Sequence, residues 1–418
     1  MSFFKKYKYH LLIIFVGLFC LEILNFILQL DKQTIIYGDS SNYLEAAQFM
    51  YLKFTGHYYR PMLMAFIIGI PYLFGSSDAV IFEWSFILNV FCWLGTSIIL
   101  FEILKNFLKE KVAFWFAMLP FFILGNITSN YLLLTENIFV FFTVFAFYFL
   151  FRYYKTKEFC YLSFSLAIFL SSMLIKPGAK FFGIILVFLF FKEIIKNYKH
   201  KSMIFLYVSF LMILIQVVGM KAQYGNFTIS YIDGVTYHNY ICSKADCFKH
   251  GKEFNQINNP RAEYLFSLDF TDQKKVALED LKRQIRTNFS NLVKAYISDI
   301  RDNTVSGNSC IEEWKNYKGR SNFDSWKTLL FDVSKWQNRF LSLFGILLSA
   351  FFLFKTFKKP NSFTFVSFFI GYIILLSGIS CGQGDRFHLV TFPFVILLLA
   401  NYLSETRRFR PFFEPLQK

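Results

Sequence analysis

A handful of polar residues stand out against the apolar background of this 418-residue chain, and their types define a chemistry. Asp39 sits in Gly38-Asp39-Ser40-Ser41-Asn42-Tyr43, and Arg60 stands immediately before Pro61, with His57 three residues upstream. Glu136 follows Thr135 at the start of an apolar run, Lys176 and Lys180 flank Pro177-Gly178, and Asp385, Arg386 and His388 precede the last apolar run. Carboxylates can accept a proton from a hydroxyl or amine acceptor, and cations can stabilise a departing phosphate. Acids and bases of this kind suit a reaction between an anionic lipid and such an acceptor, provided the fold gathers them.

Each residue also has a purely structural reading. Asp39 is placed to cap the helix that follows it, and Arg60 to snorkel to headgroups. Lys176 and Lys180 also read as interfacial anchors. The Glu136 carboxylate is favourable at a helix start for the dipole alone, and His388 also reads as a structural residue near the interface. Tyr43, His57, Lys180 and His388 are taken as candidate substrate-binding residues. Asp39 and Glu136 are the candidate catalytic acids, and Arg60, Lys176 and Arg386 the candidate phosphate ligands.

The elements that must position them are membrane helices. Hydrophobic residues make up 55% of the chain, with 59 Phe and only 17% charged residues. An average soluble protein carries about a quarter charged residues, and a globule of this size could not hide so many Phe side chains. Ten apolar stretches, near 11–30, 79–104, 112–127, 137–152, 160–175, 181–196, 203–220, 340–354, 363–380 and 389–404, each approach the roughly 20 residues that cross a bilayer. The fold class expected is an all-α polytopic membrane protein of about ten spans.

Sidedness follows from Lys and Arg in short loops. If the short Pro61–Gly75 stretch lies on the surface, one face collects 20 basic residues, from Lys5, Lys6 and Lys8 through Arg407, Arg408, Arg410 and Lys418, and the other face 6. Letting that stretch cross would break the alternation. Both termini are therefore expected in the cytoplasm, and the net charge of +16 is largely a topology signal rather than a nucleic-acid footprint. The candidate residues then all fall at the outer ends of different spans, where folding could gather them around one cavity. Residues 1–220 form a seven-span module whose outer loop, 31–78, carries Asp39 and surface helices. Residues 221–337 form a small, mainly helical extracytoplasmic domain, and 338–418 a three-span module.

Within the outer loop Tyr43, Ala47, Met50 and Phe54 recur at amphipathic spacing. In the outer domain one helix is expected near 272–302, capped by Thr271, with Leu278, Leu281, Ile285, Phe289, Leu292 and Tyr296 as its packing face. Cys242, Cys247, Cys310 and Cys381 lie on the side where disulfides persist. A Cys242–Cys247 bridge is the first choice and Cys310 the alternative partner. The spacing gives only weak evidence for zinc.

The Gly38–Tyr43 loop, Arg60-Pro61-Met62-Leu63 opening a stretch that ends Leu73-Phe74-Gly75, and Leu134-Thr135-Glu136 occur in a fixed order. Gly225-Asn226-Phe227-Thr228-Ile229-Ser230 with Asp233-Gly234, and then Asp385-Arg386-Phe387 with Pro393, complete that order. In this order the chain resembles the C-type integral-membrane glycosyltransferases, nearest to the protein O-mannosyltransferase and lipid A aminoarabinose transferase branch. The resemblance covers most of the spans and fragments of the outer domain. It implies a polyprenyl-phosphate-linked sugar donor, an extracytoplasmic active site in the cytoplasmic (inner) membrane, Asp39 as base, and Arg60 and Arg386 on the donor phosphate. The acceptor is a glycan, lipid or protein, and membrane lipids are the remaining partners.

The chain departs from the protein mannosyltransferases in having Ser40 after Asp39 where they pair two acids. It also has Met62 after Pro61 where many relatives have a second proline, and fewer spans than the larger members. Phosphate is a good leaving group, so no cofactor is required, although Asp39 and Glu136 could share a divalent cation. The readings from other classes are a transporter or flippase of lipid-linked glycans, and a glycan polymerase or ligase using the same kind of donor.

Overall fold

The computed structural model describes residues 2–30 and 38–406; Lys32, Arg407, Arg408, Arg410 and Lys418 of the charge tally lie outside them. Every regular element among the described residues is a helix, without a strand. The membrane bundle opens with α1 (Ser2–Leu28), followed on one end by α2 (Ser40–Leu52) and α3 (Met62–Ile68). Next come α4 (Asp78–Leu104), α5 (Glu110–Met118) and α6 (Leu124–Thr128), then α7 (Glu136–Thr156), α8 (Phe159–Ser172) and α9 (Lys180–Leu189). After α10 (Phe191–Lys196) and α11 (Met203–Tyr224), the outer domain holds α12 (Ile232–Val235), a π-helix over Thr236–Cys242, and α13 (Ser243–Lys249). It continues with α14 (Pro260–Ser267), α15 (Phe270–Thr287), α16 (Phe289–Val305) and α17 (Ser309–Glu313). The chain returns through α18 (Phe323–Thr356), α19 (Ser362–Ser377) and α20 (Phe392–Glu405).

Each of the ten expected apolar stretches is helical. Among the described residues six helices are long and apolar enough to span a bilayer, and a seventh candidate is the pair Glu110–Phe122 and Leu124–Tyr131, bent by 66°. Phe159–Ser172, Pro177–Leu189 and Ser362–Ser377 are shorter, below the roughly 20 residues of a full crossing. They nevertheless run the length of the bundle. At one end Tyr9 packs on Phe101 and Phe114, Phe363 on Phe107 and Phe151, and Phe190 on Tyr153 and Phe365. That end also pairs Lys105 with Glu102, and Lys355 with Glu405. Asp39, Glu136, Lys176 and Arg386 meet at the opposite end. The stretch at 61–75 does not cross: α3 has 7 residues and is followed by a 3-10 turn over Ile70–Phe74, which at 1.5 Å per residue covers only about a third of the hydrocarbon.

Phenylalanine packs this bundle through edge-on contacts, which suit ring quadrupoles. Phe147 meets Phe169 and Phe394 with centroids 5.0 Å apart, and Phe369 meets Phe182 and Phe394 at the same spacing. Gly225, at φ 90°, takes the left-handed position that ends α11 and turns the chain into the outer domain.

The outer domain corrects two expectations. The helix near 272–302 is two helices broken at Asn288, whose amide donates to the carbonyl of Ala245 and to Gln284 Oε1. Its cap is Asp269, accepting from the Asp272 amide, rather than Thr271. Of the expected packing stripe only Leu292 is buried; Leu278, Ile285 and Phe289 are exposed. The inward face of α15 carries Gln273, Ala277, Asp280 and Gln284 instead. The reason is an ionic interior: Asp280 receives Arg261 and His238, Asp246 receives Arg261, and Lys244 bridges Asp299 (2.7 Å) and Asp302 (2.9 Å). The apolar core here is small, centred on Ile241, Cys242, Ala245, Leu292 and Ala295.

All seven cysteines are free. Cys242 and Cys247 lie five residues apart on one continuous helical run, so their side chains leave it in different directions.

Candidate functional site

Asp39 precedes α2, yet its carboxylate makes no bond to the helix's amides. It points across the end of the bundle opposite the Lys105–Glu102 pair, accepting from Arg60 Nη2 at 2.7 Å and from Arg386 Nη2 at 3.0 Å. Burial raises the carboxyl's affinity for a proton, but the two guanidiniums outweigh it and hold the Asp39 pKa at about 2. Arg60 lies over the Tyr43 ring, 4.4 Å from its centroid, and its Nη1 reaches the Tyr43 hydroxyl at 3.4 Å. Glu136, the first residue of α7, is 1% exposed. Its Oε1 accepts from Arg386 Nη2 (3.1 Å), Arg386 Nε (3.3 Å) and Lys176 Nζ (3.3 Å), while its Oε2 is buried with no hydrogen-bond partner. Arg386 thus stands between the two carboxylates, a guanidinium shared by chain ends 347 residues apart.

These residues line a cleft of about 1210 Å³, its open mouth included. Seven of the nine sequence candidates form its wall: Asp39, Tyr43, Arg60, Glu136, Lys176, Lys180 and Arg386. His57 and His388 are not brought to it. His57 lies behind Arg60, its Nδ1 accepting from the Tyr59 and Arg60 amides at 3.1 Å and its Nε2 facing Glu45 at 3.3 Å. His388 is fully buried between α18 and α19, bonded to Ser342 (2.8 Å) and Ser377 (3.0 Å). Both hold the elements that carry the arginines.

Burial pushes the His57 imidazole down to about 4, against the pull of Glu45. The unfolded chain takes up this proton below about pH 6.5 and the folded chain refuses it, so the stability is complete above that pH and is lost as pH falls toward 4. The unfolding temperature should therefore drop between about pH 7 and pH 5, by an amount equivalent to about 1–3 kcal/mol. The drop should shrink in His57→Asn, which keeps an acceptor but does not titrate. An equal drop in that variant would remove His57 as its source.

The cleft also contains residues that sequence reasoning did not select. Asp233 faces Lys180 at 3.5 Å and Lys274 at 3.8 Å, and Tyr237 and Tyr240 enter from the π-helix. Gln383 accepts from Arg386 Nη1 at 3.3 Å. Only Asp233 carried a signal, in Asp233-Gly234; the tyrosines gave none. Asp385 turns away from the cleft to accept from Asn308 Nδ2 at 2.9 Å. A Cβ at Gly125 would stand 2.4 Å from Asp385 Oδ2 and 3.2 Å from Asn308 Nδ2. Gly125→Ala should accordingly cost about 1–3 kcal/mol and reduce activity with it, through the turn that holds Arg386. Thermal unfolding beside a turnover assay checks this, and unchanged values would show that the Asp385 turn yields freely.

The lining charges are four cations, Arg60, Lys176, Lys180 and Arg386, against three carboxylates, Asp39, Glu136 and Asp233, a balance of one positive charge. Leu376 and Ile379 also belong to a second, almost wholly apolar groove between α9, α18 and α19, lined by Ile185, Leu353, Phe368 and Tyr372 among others.

Residues 59–220, which supply Arg60, Glu136, Lys176 and Lys180, match the family model of dolichyl-phosphate-mannose-protein mannosyltransferases. The matched segment makes up less than half of the chain. No curated protein sequence matches it significantly. The chain is similar in structure to the oligosaccharyltransferase AglB of Archaeoglobus fulgidus, solved with an inhibitory peptide and a dolichol-phosphate (12% identity, 99% of this chain and 53% of that one, TM-score 0.46). A second structure of an A. fulgidus oligosaccharyltransferase, tethered to an acceptor peptide, is similar at 12% identity, 98% and 52% coverage and TM-score 0.43. The chain spans about half the length of those enzymes.

Proposed function

We propose that the protein transfers a sugar, hexosyl or pentosyl, from a polyprenyl-phosphate carrier to a glycan, lipid or protein acceptor. The cleft faces the extracytoplasmic side of the cytoplasmic membrane in this reading, with both termini in the cytoplasm and the seven-span and three-span modules flanking the outer domain. The observation that carries it is Arg386 clamped between Asp39 and Glu136 in a cleft that joins an apolar groove. A lipid-linked phosphate fits both parts: its head to the guanidiniums, its prenyl tail to the groove. The surplus of one positive charge favours a phosphodiester, with a single negative charge, over a diphosphate.

At rest Asp39 is a weak base, because Arg60 and Arg386 hold it as an anion. A donor phosphate competes for those guanidiniums and returns basicity to the carboxylate. The acceptor oxygen or nitrogen then attacks the anomeric carbon in line, inverting it, while the bond to the phosphate oxygen breaks and the electron pair leaves with the phosphate. The acceptor's proton passes to Asp39. Arg60, Lys176 and Arg386 stabilise the growing phosphate charge, which in a partly dry site is worth about 3 kcal/mol of barrier per well-placed donor. Glu136 Oε2 is a buried acceptor for a sugar hydroxyl. The guanidiniums and the phosphate leaving group together require no divalent cation in this mechanism.

The direct test supplies purified protein in bilayers with labelled polyprenyl-monophosphate and polyprenyl-diphosphate hexose. Transfer from the monophosphate alone is expected; transfer from the diphosphate alone would overturn the charge reasoning and point to a ligase or polymerase.

A further inference from the structure

Phe289, the exposed member of the expected stripe on α16, heads a second apolar row that calls for another partner. On α16, Phe289, Val293 and Ile297 follow one another at intervals of four and are 61%, 38% and 59% exposed. Such spacing keeps them on one face. Ile285, near the end of α15, is also exposed, at 48%. The opposite face of α16 is the buried one, through Leu292, Ala295 and Asp299.

Two contacts fix which way the exposed face looks. Tyr296, on the flank between the exposed row and the buried face, donates its hydroxyl to the carbonyl of Leu375 at 2.7 Å. A Cβ on Gly378 would run into the Tyr296 ring at 2.5 Å, so that ring lies directly against the backbone of Gly378 just after α19. Leu375 belongs to the membrane helix α19 and is itself 59% exposed, on the bundle's outer surface. The apolar row is therefore continuous with a surface that lipid covers. Arg286, Lys294 and Arg301 are exposed beside it, as expected of a helix seated among anionic headgroups. Tyr296 also lines the apolar groove, so this helix forms the groove's outer rim.

We infer that the Phe289–Val293–Ile297 face of α16 seats in the outer leaflet of the bilayer, docking the extracytoplasmic domain onto anionic lipid. The face is covered by membrane, not by a second protein. This inference stands apart from the transferase reading and is tested without a turnover assay.

The experiment places a photoreactive benzoyl-phenylalanine at position 289 and, separately, at 297 in the full chain. Both positions are exposed, so the substitutions keep the fold; elution as a single species confirms it. The protein is reconstituted in vesicles of phosphatidylglycerol and phosphatidylcholine, irradiated, and analysed by mass. Phospholipid adducts at both positions are expected, with a lower yield when phosphatidylglycerol is omitted. Protein–protein adducts in place of lipid adducts would assign the face to a second copy and overturn the inference. Absence of any adduct at both positions would overturn it equally.

Discussion

Asp39→Asn should abolish sugar transfer while leaving the donor bound. Loss of a general base costs about 10²- to 10⁴-fold in turnover. The same change removes the carboxylate that competes with phosphate for Arg60 and Arg386. Polyprenyl phosphate should then bind more tightly, by roughly two- to tenfold, the worth of about 0.5–1.5 kcal/mol in released charge-assisted bonds. Opposite movement of the two quantities separates a lost base from a damaged fold, which would weaken both. Isothermal titration with a short-chain polyprenyl phosphate, beside a turnover assay, measures them. Unchanged turnover would remove Asp39 from the chemistry.

Arg386→Met should have the largest combined effect. It deprives Glu136, 1% exposed, of its closest cation and leaves only Lys176 at 3.3 Å. Breaking a buried ion pair on one side costs about 3–5 kcal/mol, and losing a phosphate ligand about 10²- to 10³-fold in kcat/KM. The lining charge of the cleft falls to zero, so phosphate binding should weaken and lose salt dependence. Arg386→Lys separates the two roles. An ammonium restores much of the stability, but it lacks the planar fork that lets one side chain reach Asp39 and Glu136 together. Its unfolding temperature should recover toward wild type while its kcat/KM stays low. Recovery of both would mean that the bridging geometry is dispensable.

The sequence made the ends of the helices legible, but not their rotation. Hydropathy and basic-residue alternation bring Asp39, Arg60, Glu136, Lys176 and Arg386 to one end of the bundle, and these residues do converge. Neither signal says which way a side chain turns about its helix axis. His57 and His388 lie at that same end yet look inward, toward amides and serine hydroxyls. Tyr237 and Tyr240 were invisible because the π-helix of the cleft wall alters the spacing that pattern reading assumes. In the outer domain the pattern misled in part: Leu281, Leu292 and Tyr296 pack on the small apolar core, but polar Gln273, Asp280 and Gln284 face inward to serve an ionic interior, and Leu278, Ile285 and Phe289 face out. A period of 3.6 finds the stripe; a membrane surface and a protein core leave the same one.

The central claim is transfer, and transport of a lipid-linked glycan through the same cleft is the reading it must exclude. Protein reconstituted in sealed vesicles with labelled polyprenyl-phosphate hexose and a lipid extract as acceptor, in the presence of EDTA, decides between them. The label should leave the carrier with wild type and stay on it with Asp39→Asn. Label that crosses the bilayer still attached to its carrier, equally in both proteins, would contradict the assignment.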